Sequence, residues 1–152
     1  MYRLALRITL NSQEAEDVVQ DVIIKLWKMG ENLNDVENIE AYSLRMTRNL
    51  ALDRQRMKVN QNESLDEGAH EHIVSNQPSA DALLERQERI ESIRTLMNSL
   101  PEKQRIAMQL RDFEGKSYKE ISDIMEVSED QVKICIYRAR QFIKSKLTPF
   151  NG

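Results

Sequence analysis

Two short stretches of this sequence gather cations able to hold a polyanion. Between positions 45 and 58 stand Arg45, Arg48, Arg54, Arg56 and Lys58 against the acid Asp53, and between 133 and 146 stand Lys133, Arg138, Arg140, Lys144 and Lys146 with no acid among them. Guanidinium and ammonium groups grouped in this way meet phosphates, and Asn49 can both donate to and accept from the edge of an unpaired base. A third stretch has the opposite character. Asp17, Gln20 and Asp21 form an acidic and polar group at helical spacing, with the apolar Ile24 beside them. Each has a plainer reading as well, since charged helix faces are most often solvated surface.

Nothing in the sequence gives catalysis a residue to rest on. It holds no phosphate-cradling glycine loop, nucleophile elbow or spaced carboxylate pair. His70-Glu71-His72 has the look of a metal pair, but two imidazoles in a polar stretch without a third ligand nearby read as solvated, so no metal or other cofactor is expected. Cys135 is the one cysteine, which excludes an internal disulfide and reads as packing rather than redox sensing. The net charge of -3 argues against a nucleic-acid binder only until its distribution is considered, because the acids collect away from the two basic runs. No apolar stretch approaches the ~18 residues of a membrane helix, so the expected setting is a reducing cytoplasm without membrane insertion.

The elements that must carry these groups are helices. Charged residues at 31%, with four glycines and three prolines in 152 residues, suit an all-α chain of two small helical domains joined by a flexible linker. The polar, aperiodic stretch at 58–81 is the expected linker, between a first module at 1–57 and a second at 82–152. Asn11-Ser12-Gln13-Glu14 has the form of a helix start. After it Ala15, Val18, Val19, Val22, Ile23 and Leu26 recur as one buried face, leaving Asp17, Gln20, Asp21, Ile24 and Lys28 on another. A break is expected near Gly30, with a loop to Ile39 and then a helix from Ala41 to Arg56 that brings Arg45, Arg48, Asn49 and Arg56 to one side. In the second module Ser99, Ser117 and Ser128 each precede Glu or Gln by three residues, predicting three helix starts, and Gly115 supplies a stop. The tight turn at Glu126-Val127 between the last two helices, over a shared core of Ile121, Ile124, Met125, Val127, Val132 and Ile136, is the layout of a helix-turn-helix.

At this point the residues carry a family resemblance. Leu100-Pro101-Glu102-Lys103-Gln104-Arg105, Phe113 through Ile121, and Val132-Lys133 through Tyr137-Arg138-Ala139-Arg140 resemble region 4 of sigma-70 factors. Ala15 through Val22, Leu26-Trp27, Ala41 through Leu44 and Arg48 through Asp53 resemble region 2. The resemblance, closest to the extracytoplasmic-function group, implies a non-enzymatic factor that binds core RNA polymerase and directs promoter-specific initiation. It implies that Ser128, Gln131, Lys133, Ile134, Tyr137 and Arg138 touch the −35 duplex. It further implies that Asp17, Gln20, Asp21 and Ile24 dock on the clamp coiled coil of the polymerase's largest subunit. Arg45, Arg48, Asn49, Arg54 and Arg56 would open and hold the −10 element, with 32–39 as the base-selecting loop. An anti-sigma factor is an implied partner. Glu126 stands where the family often has glycine, Cys135 and Ile136 where it often has polar residues, and Met1 falls inside the family's first helix, which would make the start slightly short.

About 24 linker residues at ~3.3 Å each reach ~80 Å, against ~70 Å for two turns of DNA, so both modules can hold one promoter together. Two other readings stay open on the residues alone. One is a stand-alone regulator that dimerises through the first module and binds duplex by the second; the other is a helical adaptor that binds protein only.

Overall fold

A computed structural model describes residues 1–60 and 81–147. All regular structure in them is helical: α1 (Tyr2–Thr9), α2 (Ser12–Met29), a 3₁₀ segment Gly30–Asp35, α3 (Ile39–Asn60), α4 (Asp81–Met97), α5 (Glu102–Met108) continued by a π segment Gln109–Phe113, α6 (Tyr118–Met125) and α7 (Glu129–Leu147). The all-α expectation and the two sets of helices hold. Helix α3 runs to Asn60 and α4 starts at Asp81, so both ends of the expected 58–81 linker are helical, while 61–80, with His70-Glu71-His72, lie outside the described residues. No helix among the described residues is long and apolar enough to cross a membrane.

The first module is a three-helix packing of α1, α2 and α3. Leu10 ends α1 in the left-handed conformation (φ 56°), and the Asn11 side chain then starts α2 by accepting from the Glu14 amide at 3.0 Å. Ala15, Val18 and Val22 bury against Leu4, Ala5, Ile8, Leu44, Ala51 and Leu52. Ile23 departs from the expected buried face. It is exposed, because α1 and α3 cover only the arc through Ala15, Val18 and Val22, and one further residue turns ~100° out of that contact. The expected loop after Gly30 is largely a 3₁₀ segment, and α3 starts earlier than Ala41, where Asn38 accepts from the Ala41 amide at 3.0 Å.

In the second module two of the three serine starts are real caps. Ser117 and Glu120 form a full reciprocal box on α6, and Ser128 accepts from the Gln131 amide at 3.1 Å to begin α7. Ser99 is not a cap. The chain there still closes turns on the end of α4, Ser99 N donating to Leu96 O at 3.0 Å, and Pro101, which has no amide hydrogen to satisfy, takes the cap position before Glu102. Gly115 does take a positive φ of 70° after the π segment. The α6–α7 turn passes through Glu126 in the left-handed conformation (φ 60°, ψ 45°), and Val132 and Ile136 close over Ile121, Ile124 and Met125 as expected for a helix-turn-helix. A second cluster of Met97, Leu100, Met108, Ala139 and Ile143 fixes α4 and α5 to α7.

The two modules pack on each other. Helix α1 meets α5 and α3 meets α6, so that Leu4, Ile8 and Leu44 belong to the same apolar cluster as Ile106, Leu110 and Ile124. Polar links cross the same seam. Arg7, buried at 8% exposure, donates to Gln109 Oε1 at 3.1 Å and Asn98 Oδ1 at 3.0 Å, and Lys116 Nζ meets Glu40 Oε2 at 2.6 Å. Burial first, then the nearby Arg94 and Arg105 charges, push the Arg7 guanidinium down to about 10 against an opposing pull from Glu91, so it remains charged at neutral pH.

Candidate nucleic-acid interface

Helix α7 presents the most accessible of the sequence-predicted sites. Ser128, Gln131, Lys133, Ile134, Tyr137 and Arg138 are all exposed, on the arc opposite buried Val132, Cys135, Ile136 and Ala139. Ile134 and Tyr137 stand 49% and 65% exposed, more than packing alone requires, so they are free to contact a base methyl or a sugar edge. Lys133 lies 5.5 Å from the centre of the Tyr118 ring, whose centre is also 4.4 Å from Arg111, so α6 helps aim a cation beside α7. Arg140 is committed elsewhere. Its Nε donates to Asp112 Oδ2 at 3.1 Å and ties α7 to the π segment, a pairing that raises its pKa. Cys135 is buried, and desolvation pushes its thiol up, which suits packing.

The expected −10 residues of α3 do not share one setting. Arg45 and Arg48 face α6: Arg45 Nε donates to the Asp123 carbonyl at 3.1 Å, and Arg48 Nη1 reaches Asn49 Oδ1 at 3.0 Å and Glu126 Oε2 at 3.5 Å. Arg54 lies ~180° around the helix from Arg45. It faces α2, where Nη1 meets Asp17 Oδ2 at 3.4 Å and Nη2 meets Asp21 Oδ2 at 3.2 Å. Arg56 pairs with Asp53 at 3.1 Å within α3 and is well exposed. The structure therefore brings Arg45, Arg48 and Asn49 together, and sets Arg54 among the residues expected to dock on polymerase.

On α2, Gln20 is exposed and Ile24 is 49% exposed beside the half-exposed Asp17 and Asp21. This acidic and apolar strip continues into two residues that the periodicity assigned no such place, Ile23 at 51% and Trp27 at 84% exposure. Helical spacing alone carries the signal: Trp27 follows Gln20, Ile23 and Ile24 at seven-, four- and three-residue steps on the uncovered side.

Comparison with known proteins decides the family. Residues 1–60 match Sigma-70 region 2, and residues 90–143 match Sigma-70 region 4. The RNA polymerase sigma factor SigZ of Bacillus subtilis is 33% identical over 132 residues, 87% of this chain and 72% of that protein. The chain belongs to the sigma-70 family. Among its relatives is the ECF RNA polymerase sigma factor SigE of Mycolicibacterium smegmatis, 30% identical over 149 residues, which are 97% of this chain but 57% of that longer protein. The fold is that of the sigma factor RpoE solved in complex with the anti-sigma factor NepR from Bartonella quintana, with a TM-score of 0.77, 21% identity, and coverage of 99% of this chain and 91% of that one.

Within this sigma fold, α1–α3 fall in region 2 and α5–α7 in region 4. Glu126 gains meaning there. A non-glycine residue held at positive φ is strained, and this one spends the strain at the spot where its carboxylate meets Arg48 of region 2.

Proposed function

We propose that this sigma-family chain binds core RNA polymerase and directs promoter-specific initiation, and is not itself an enzyme. Region 4 sets α7 on the −35 duplex through Gln131, Lys133, Ile134, Tyr137 and Arg138, with Ser128 at its cap. Region 2 opens and holds the −10 strand with Arg45, Arg48, Asn49 and Arg56, with Arg54 joining once its two acids are engaged elsewhere. Asp17, Gln20, Asp21 and Ile24 dock on the polymerase clamp, and Trp27 extends that contact.

The observation that carries this reading is the bare outer face of α7, six exposed residues on a rigid helix-turn-helix within a chain whose two halves both match sigma regions. Cations there steer the helix to phosphate while Gln131 and Arg138 reach base edges. Carboxylates on α2 offer charge complementarity to a basic protein surface. An anti-sigma factor is a proposed further partner, and the cytoplasm the proposed setting.

The test is a pull-down with core polymerase followed by run-off transcription from a library of random promoters. The expected result is a stable complex and RNA that starts downstream of a shared pair of elements. Asp17→Lys with Asp21→Lys should abolish the pull-down, while Asp17→Asn with Asp21→Asn, which keeps size and removes charge, should weaken it about tenfold or more. Full core binding by the charge-reversed chain would remove the assigned docking site; a chain that binds duplex without polymerase, or joins polymerase and directs no synthesis, would overturn the function.

A further inference from the structure

One row of side chains on α7 is held at both of its ends. Lys133, Tyr137 and Arg140 follow one another at four- and three-residue steps, and seven residues bring Arg140 back to within about 20° of Lys133 around the helix. Lys133 stands 5.5 Å from the centre of the Tyr118 ring, and Arg111 stands 4.4 Å from the same centre. At the far end Arg140 makes a two-pronged pair with Asp112, Nε donating to Oδ2 at 3.1 Å and Nη2 donating to Oδ1. Arg111 and Asp112 are consecutive residues of the π segment. That segment is itself firmly seated: the Glu114 amide donates to the Gln109 carbonyl at 3.0 Å, the Gln109 side chain donates to Glu114 Oε2 at 3.0 Å, and both Gln109 and Leu110 are buried.

We infer that Asp112 is a positioning residue for promoter recognition: its pair with Arg140 fixes the rotation of α7 about its own axis, so that the π segment sets which base edges the exposed face meets. This rests on the reading of α7 as the helix that reads the −35 duplex. The core alone does not supply that precision. Met108 shares a cluster with Ala139 and Ile143, and Leu110 with Val132 and Ile136, but apolar contacts are non-directional and tolerate a small turn of the helix. A forked guanidinium–carboxylate pair fixes direction as well as distance. Arg140 lies two residues beyond Arg138, the last of the six proposed reading residues, so a turn of α7 at Arg140 carries directly to Tyr137 and Arg138. The pair also changes the meaning of the basic run. With its fork spent on Asp112, Arg140 anchors the helix and adds no free cation for DNA, although its charge and place in the sequence resemble those of a phosphate contact.

The experiment uses the chain bound to core polymerase and two duplex promoters, one recovered by run-off transcription from the random library and the same one with its upstream element scrambled. Fluorescence anisotropy gives the ratio of the two dissociation constants and the log–log salt slope on the first. Asp112→Asn is expected to lower the ratio about three- to tenfold, within what one misaligned base contact costs, and to leave affinity for the scrambled promoter within about twofold. An acid that merely repelled DNA would give the opposite sign, since its removal would tighten binding to both promoters. Arg140→Lys keeps the charge and loses the fork, so it should lower the ratio as Asp112→Asn does, whereas a phosphate contact would survive that change. Arg140→Ala should leave the salt slope unchanged, while loss of a phosphate contact would reduce it by about 0.9. Asp112→Asn with Arg140→Lys should lose no more than the worse single variant, because both changes remove the same pair. The pair is partly open to water, so these variants keep their fold, which circular dichroism checks.

A ratio unchanged in Asp112→Asn and Arg140→Lys, with or without a lowered melting temperature, overturns the positioning role and leaves the pair a plain clasp between the π segment and α7. A slope reduced by about 0.9 in Arg140→Ala overturns it in favour of a phosphate contact. Lys133→Ala with Arg138→Ala separates such a failure from failure of the underlying reading. If that variant keeps the full ratio, α7 does not read the upstream element and both fall. If it abolishes the ratio while Asp112→Asn leaves it unchanged, only the positioning role falls.

Discussion

Arg54 is one cation shared by two acids of a neighbouring helix. Its guanidinium is split between Asp17 and Asp21, each contact in the 3.2–3.4 Å range and all three groups partly open to water. Pairs of that kind add little to stability, so Arg54→Ala should lower the unfolding free energy by no more than about 1 kcal/mol, measured by urea denaturation. A larger loss would mean that the pair is a structural clasp joining α2 to α3 rather than a contact available for exchange. Lys58 and Glu14, at 2.9 Å, make a second link between the same helices and would persist in that variant.

At the scale of elements, local chemistry set most boundaries. The box on α6 is the clearest case. Ser117→Ala should cost about 1 kcal/mol of stability by removing the acceptor of the Glu120 amide, read as a lowered denaturation midpoint with unchanged slope. Hydrogen bonding from the Ser117 backbone, ahead of other causes, holds the Glu120 carboxyl below its ordinary 4.5. Its contribution is therefore complete above that ordinary value and fades as pH falls through the lowered one; an acid titration in which Glu120→Gln removes none of the loss would contradict it.

The same elements mark what the sequence left illegible. Caps at Asn11, Ser117 and Ser128 and the core face of α7 depend on residues within a few positions, and all could be read directly. Ser99 failed because Pro101 took the cap position from it, and Ile23 failed because periodicity reports a helix's apolar side but not how many neighbours will cover it. The separation of Arg54 from Arg45 and Arg48 follows from helical angle. Their actual partners, on α2 and α6, are tertiary facts with no local trace.

For the whole molecule, the shared core makes a stronger statement than the separate modules would. Leu110, fully buried in region 4, lies in one cluster with Leu4 and Ile8 of region 2. Leu110→Ala should cost about 2–5 kcal/mol and shift a single cooperative transition seen alike by circular dichroism and calorimetry, whereas two transitions with only one displaced would show that the modules melt independently. Arg7 sits in that seam hydrogen-bonded to the amide oxygens of Gln109 and Asn98, and burial with the Arg94 and Arg105 charges outweighs the opposing pull of Glu91, an arrangement that holds register at some electrostatic cost.

Trp27 is the chain's one tryptophan, and it stands 84% exposed on α2. An indole already bathed in solvent emits at nearly the same wavelength whether the polypeptide is ordered or denatured, so intrinsic fluorescence is close to blind to melting of this molecule. The same indole moves to a drier environment as soon as anything lands on that flank, which gives the native sequence a built-in optical reporter of capture by a tryptophan-free partner fragment.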